Sequence, residues 1–146
     1  MAKILLVEDD VFLSSLLKNR LQKEGVEITH ANDGEQAIQN LKKGGIDLVL
    51  LDIILPKKSG FEVLEEIKSD PQIQGEDIPI VIISNLGQPE DITRGRSLGA
   101  VDYFVKAKTS IDDLVGKIKD ERNTSSSTKR IFAICSIQKI MVYIKY

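Results

Sequence analysis

Polar and charged residues recur at one kind of place in this sequence, directly after or at the close of a short apolar run. Glu8 and Asp9 follow KILLV, Asp52 follows LVLL, Ser84 closes IVIIS and Lys106 follows DYFV. Three carboxylates in one crevice would repel, and a hard divalent cation such as Mg²⁺, which keeps oxygen ligands and several waters, relieves that repulsion. A hydroxyl at Ser84 and an ammonium at Lys106 then hold the oxygens of a phosphoryl group and leave Asp52 as the nucleophile for an aspartyl-phosphate. An aspartate ending a run as apolar as LVLL needs a partner or a metal. Asp10, one position beyond the acidic pair, reads as a turn former or helix cap. His30 has no second ligand near it in sequence and reads as a structural or surface residue.

Such chemistry requires a fold that gathers residues nearly one hundred positions apart. Short apolar runs alternate with segments of helical period, giving five strand and helix pairs. The strands are Lys3 to Val7, Val26 to Ala31, Leu48 to Asp52, Ile80 to Ser84 and Asp102 to Lys106. The first helix carries Phe12, Leu13, Leu16, Leu17 and Leu21 on one stripe. The next two run from Gly34 to Lys43 and from Gly60 to Ser69, the fourth from about Pro89 to Leu98 and the fifth from Ile111 to about Asp120. Ser110, with Asp113 three residues on, supplies an entry signal for the fifth helix. Arg94, Gly95 and Arg96 interrupt the stripe of the fourth, which is expected to be the most mobile.

The third and fourth strands are almost continuously apolar, as parallel strands covered on both faces are, and right-handed crossovers then give a doubly wound five-stranded sheet. The expected fold is α/β with strand order 2-1-3-4-5, a flavodoxin-like arrangement. Parallel strands bring their carboxyl ends to one edge, and the chain reverses direction beside strands one and three. A crevice therefore opens between the loops bearing Asp9 and Asp52.

The segments KILLVEDD, LVLLDIILPKKSG, IVIISN and GAVDYFVKA resemble the signature segments of bacterial response-regulator receiver domains of the CheY-like, single-domain form. The resemblance covers residues 1 to about 121 and implies the (βα)5 receiver fold. It implies that Asp52 takes a phosphoryl group from a histidine kinase or phosphotransfer protein in a two-component phosphorelay. Glu8, Asp9 and Asp52 would then serve Mg²⁺ together with the backbone carbonyl of Ile54. Ser84 would be the switch hydroxyl, Lys106 the phosphate-binding lysine and Tyr103 the aromatic that changes rotamer with the switch. Two departures stand out. Ala107 follows Lys106 where the family usually has a proline after a cis bond, so the bond is either cis and strained or trans with a different approach of the lysine. Ile54 offers no polar atom to position an attacking water, which implies slow autodephosphorylation. The chain would be a phosphoacceptor switch and not an enzyme with an external substrate. Two other readings remain: a receiver-like interaction module that is never phosphorylated, and an Asp-nucleophile phosphatase of the haloacid dehalogenase type. The second needs an acid two residues after its nucleophile, where Ile54 stands.

A chain of 146 residues suits one domain, expected over 1–121, then a polar linker over 122–130 and an apolar, basic tail of unknown role over 131–146. Residues 1–121 hold 15 Lys/Arg against all 22 Asp/Glu, a net charge of −7, while 122–146 carry five Lys/Arg and no acid. No basic face is then available for direct contact with nucleic acid. The tail, IFAICSIQKIMVYIKY, is shorter than the roughly 20 apolar residues of a membrane span, and contact with a membrane surface is the lesser expectation for it. The lone Cys135 and the strand-like run directly after Met1, with no basic and apolar leader, point to a cytoplasmic location. A downstream protein target is expected, since output has to pass through a surface. Homodimerisation is possible, although Val101 occupies a position where one dimerising subfamily commonly has an acid.

Overall fold

The computed structural model describes residues 2–74 and 78–122. Five parallel strands, β1 (Lys3–Val7), β2 (Glu27–Ala31), β3 (Leu48–Leu51), β4 (Ile80–Ser84) and β5 (Asp102–Val105), form one sheet in the order β2-β1-β3-β4-β5. The expected α/β, doubly wound architecture is thus the observed one. Asp52 and Lys106, expected as the last residues of their strands, fall just past the observed ends, since β3 and β5 each stop one residue earlier than expected.

Side chains of a strand alternate between faces, and that alternation divides the core in two. Leu5, Val7, Val49, Leu51, Ile82, Tyr103 and Val105 line one side with residues of α2 (Gly34–Lys43), α3 (Gly60–Ser69), α4 (Pro71–Gln74) and α5 (Pro89–Ser97). Ile4, Leu6, Leu50, Val81, Ile83 and Phe104 line the other with α1 (Val11–Lys23) and α6 (Ile111–Arg122). Tyr103 and Phe104, adjacent in sequence, therefore belong to opposite layers.

The helix starts explain much of the positioning. Asp10 caps α1, its carboxylate accepting from the N–H groups of Phe12 and Leu13, so its role is the cap expected of it. Asp33 and Ser59 cap α2 and α3 in the same way. Helix α5 has no side-chain cap but begins with Pro89, carries Glu90 and Asp91 in its first turn and Arg94 and Arg96 in its last, each placed to suit the helix dipole. At α6 the hydroxyl of Ser110 accepts from Asp113 N–H at 3.1 Å.

Three expectations need correction. Phe12 is 79% exposed and does not join the inward stripe of α1. The buried positions are Ser14, Leu17 and Leu21, and two residues along a helix is a turn of about 200°, so Phe12 points away from the sheet. The turn α4, over Pro71–Gln74, was not expected; Asp70 starts it by accepting from Gln72 N–H, and Ile73 is buried beneath it. It makes the helix expected as fourth the fifth in order. Arg122 still belongs to α6, and the rest of the expected linker and the tail, residues 123–146, lie outside the described residues. Among the described residues, no helix is long and apolar enough to cross a membrane.

Candidate functional site

The chain reverses direction between β1 and β3, and the loops that leave these two strands form the crevice. Glu8 N–H donates to Ala31 O and Asp52 N–H donates to Val7 O, so the ladder runs one residue past each strand and fixes both acidic residues at its edge. Glu8 and Asp52 are buried, at 0% and 4% exposure, and Asp9 is exposed. One carboxylate oxygen from each of Glu8, Asp9 and Asp52 lies within 4.8 Å of the others. Sequence reasoning placed these three together, and the structure brings them together.

Lys106 reaches the same point from β5. It opens a short 3-10 turn over Lys106–Lys108, and its Nζ lies 2.8 Å from Asp52 Oδ2, to which it donates, and 2.8 Å from Glu8 Oε2. All peptide bonds among the described residues are trans, the Lys106–Ala107 bond included. The lysine thus approaches through the helical turn. The contact with Glu8 is close enough for an ion pair but lacks hydrogen-bond alignment, leaving Oε2 buried without an aligned donor. The other oxygen of Glu8 accepts from Asp10 N–H at 3.0 Å.

Burial pushes the Glu8 carboxyl above its ordinary range; Lys106 works against this and the Asp52 charge adds to it. For Lys106, burial alone would lower the ammonium pKa, but the hydrogen bond to Asp52 and the contact with Glu8 outweigh it, and the group is held above its usual value. A single positive charge is therefore clamped between two carboxylates. The all-oxygen donor set and the unaligned Oε2 fit a hard divalent cation, which would satisfy what Lys106 leaves unsatisfied. The backbone carbonyl of Ile54, expected as a further ligand, belongs to the residue whose N–H donates to Asp52 Oδ1 at 3.2 Å, and the Ile54 side chain is 56% exposed at the rim.

Ser84 and Tyr103 form a second layer. Ser84 is fully buried at the end of β4, and its Oγ accepts from Leu86 N–H at 3.2 Å. The Tyr103 ring is also fully buried, and its hydroxyl donates to Leu86 O at 2.5 Å. Burial pushes its phenol up to about 12. The peptide groups of Leu86 are thus held by both residues, a link between Ser84 and Tyr103 that runs through backbone and that side-chain patterns in the sequence do not reveal.

Three other residues bear on the site: His30, which has the structural role read for it, and Gly60 and Lys57, which escaped the sequence reasoning. His30 Nε2 lies 2.7 Å from the backbone oxygen of Glu8, so this histidine supports the acidic loop from β2. Gly60 packs on the site itself: a Cβ there would stand 2.4 Å from the carbonyl oxygen of Asp52 and 2.7 Å from Ile53 Cα. Lys57, in the intervening loop, holds a left-handed φ of 65°. A glycine opening a helix close after the motif aspartate was a usable signal for Gly60; nothing in the sequence marked Lys57.

A parallel sheet of this order with an acidic crevice and a clamped lysine at its switch point defines a class of α/β proteins built around an anionic site at the strand ends. Residues 4–119 match the family model of the response regulator receiver domain, and the chain belongs to that family. The transcriptional regulatory protein CpxR of Escherichia coli is 42% identical over 106 residues, covering 73% of this chain and 43% of the relative. The chain spans less than half the length of that curated relative. The receiver domain of the Francisella response regulator 1452 matches with a TM-score of 0.74 and 26% identity, over 85% of this chain and all of that one. The chemotaxis protein CheY4 of Vibrio cholerae matches with a TM-score of 0.73 and 27% identity, over 82% of this chain and 98% of the other. Residues 4–119 are thus a receiver domain of the two-component response-regulator type.

Proposed function

We propose that Asp52 is a phosphoacceptor and that the domain uses its phosphorylation to change the surface it offers to a partner protein. The observation that carries this reading is the clamp of Lys106 Nζ on Asp52 Oδ2 and Glu8 Oε2, both at 2.8 Å. A buried carboxylate paired with a lysine beside two further acids is poised for charge neutralisation and in-line attack. Glu8, Asp9 and Asp52, with the Ile54 carbonyl, would hold Mg²⁺, which when bound supplies charge neutralisation to the incoming phosphoryl oxygens.

In the transfer, an Asp52 carboxylate oxygen attacks phosphorus, a P–O bond forms and the P–N bond to the histidine of a kinase or phosphotransfer protein breaks. The released imidazole takes up a proton. Lys106 moves from sharing its charge between two carboxylates to pairing with a phosphoryl oxygen. The Ser84 hydroxyl then turns from Leu86 N–H toward the phosphoryl group, and the loop after β4, with Tyr103 bonded to Leu86 O, is biased toward a second arrangement. A partner that prefers that arrangement is the output. The domain reads as cytoplasmic, where a kinase and such a partner would meet it.

The exposed, apolar Ile54 side chain argues against the phosphatase alternative, which requires an acid two residues beyond the nucleophile. Incubation with acetyl phosphate and Mg²⁺ tests the choice. A stoichiometric added phosphoryl mass, lost in Asp52→Asn, is expected. Repeated turnover of phosphate esters would establish the phosphatase, and no added mass would leave an interaction module in its place.

A further inference from the structure

Gly95 sits in the interior of α5, where glycine costs roughly 1 kcal/mol of helix propensity relative to alanine, so its presence calls for a packing reason. The neighbouring side chains give one. A Cβ on Gly95 would stand 2.7 Å from Ile82 Cδ1 and 3.1 and 3.3 Å from Cδ2 and Cε2 of the Tyr103 ring. Ile82 Cδ1 is the free end of a flexible side chain and can turn away. The aromatic ring is held at its far end by the bond from its hydroxyl to Leu86 O and is fully buried, so it has little room to give.

We infer that Gly95 is a positioning residue for the switch: the missing side chain at 95 is the slot that admits the Tyr103 ring to its inward place between α5 and β4. It acts only through Tyr103, since nothing places it at the acidic crevice. Its φ is not in the left-handed region, so backbone conformation does not explain the glycine. A side chain at 95 competes with the ring for one volume. Alanine asks the ring to shift by a few tenths of an ångström, and the branched carbons of valine occupy ring volume outright. The consequence is a coupling between the composition of α5 and the rotamer of Tyr103, and through Leu86 to Ser84.

The inference rests on the phosphoacceptor reading for its functional meaning, and one experiment separates the two. In full-length protein with ring-labelled tyrosine, the Tyr103 resonance is assigned by its loss in Tyr103→Phe, and its broadening by a soluble paramagnetic reagent is measured with and without acetyl phosphate and Mg²⁺. Gly95→Ala and Gly95→Val are compared in an Ile82→Val background, which removes the Cδ1 contact and leaves the ring contact. Wild type should be protected, Gly95→Ala broadened more, and Gly95→Val several-fold more, with far-ultraviolet circular dichroism unchanged. If Gly95→Val does not fold, Gly95→Ala carries the comparison. Equal protection in the folded variants and wild type overturns the inference. Failure of wild type to gain phosphoryl mass in the same samples overturns the phosphoacceptor reading while leaving the ring geometry to be judged on its own.

Discussion

Lys106 Nζ and Asp52 Oδ2 meet at 2.8 Å across 54 positions of sequence, with the lysine delivered by a 3-10 turn and a trans bond to Ala107. The same ammonium contacts Glu8, so one cation stands between two buried anions. Removing it leaves both carboxylates with their desolvation cost and their mutual repulsion.

Lys106→Met should therefore lose about 1–3 kcal/mol of stability in urea at neutral pH without divalent cation, the usual cost of deleting one charged hydrogen-bond partner. Added Mg²⁺ should recover more stability in the variant than in wild type, because the cation replaces the missing charge. Equal recovery in the two would mean that the cation does not take the place of the missing charge, and no recovery in either would mean that the acidic cluster does not take the ion.

Ala107→Pro addresses how the lysine is delivered. Proline disfavours helical backbone at the residue before it, and that residue, Lys106, opens the 3-10 turn. A loss of about 1–2 kcal/mol, with slower phosphorylation by acetyl phosphate, is the expected result for a substitution that the native backbone does not accommodate. An increase in unfolding midpoint would show that the loop is built differently.

The alkaline limit of stability reports on Tyr103. Its folded pKa is raised by burial to about 12, above the ordinary 10, so its contribution to stability is fully present below pH 10 and is lost as pH rises through about 12. That loss should be roughly 2 kcal/mol at the top of this range. Tyr103→Phe should be less stable at neutral pH by about 1 kcal/mol, the value of its hydroxyl bond to Leu86 O, and should lack this alkaline decline. Parallel pH profiles for the two proteins would place the Tyr103 hydroxyl in solvent.

Ile54 bears on the lifetime of the modified state. Its side chain is 56% exposed at the rim, so Ile54→Asn should leave the unfolding midpoint nearly unchanged. The amide would give the attacking water a polar partner, and loss of the phosphoryl group should accelerate. Decay of phosphorylated protein, followed by intact mass after removal of the phosphodonor, checks this; unchanged decay in Ile54→Asn would refute it.

Much of the fold was legible because apolar runs and polar strand ends state the topology directly. KILLV and IVIIS match β1 and β4 residue for residue, and α2 and α3 match their expected bounds. The convergence of Glu8, Asp9, Asp52 and Lys106 followed from parallel topology alone. Phe12 misled because an apolar residue at a helix start was counted on the stripe, whereas Asp10 sets the helix start that turns Phe12 outward. Ser84, Tyr103 and Leu86 form their link through peptide groups, and Gly60 and Gly95 matter through atoms they lack. The link through peptide groups leaves no pattern of side-chain types to read, whereas a glycine opening α3 and another inside α5 are signals of close packing that do not name the atoms they meet.

The central claim is that the phosphoryl group resides on Asp52, and reductive mapping tests it most directly. Protein treated with acetyl phosphate and Mg²⁺ is reduced with borohydride, which converts an acyl phosphate into the corresponding alcohol, and the peptides are sequenced by mass. Homoserine at position 52, absent without the phosphodonor, is the predicted result. Homoserine at Asp9 or Asp10 in place of position 52, or none at any position, would contradict the account.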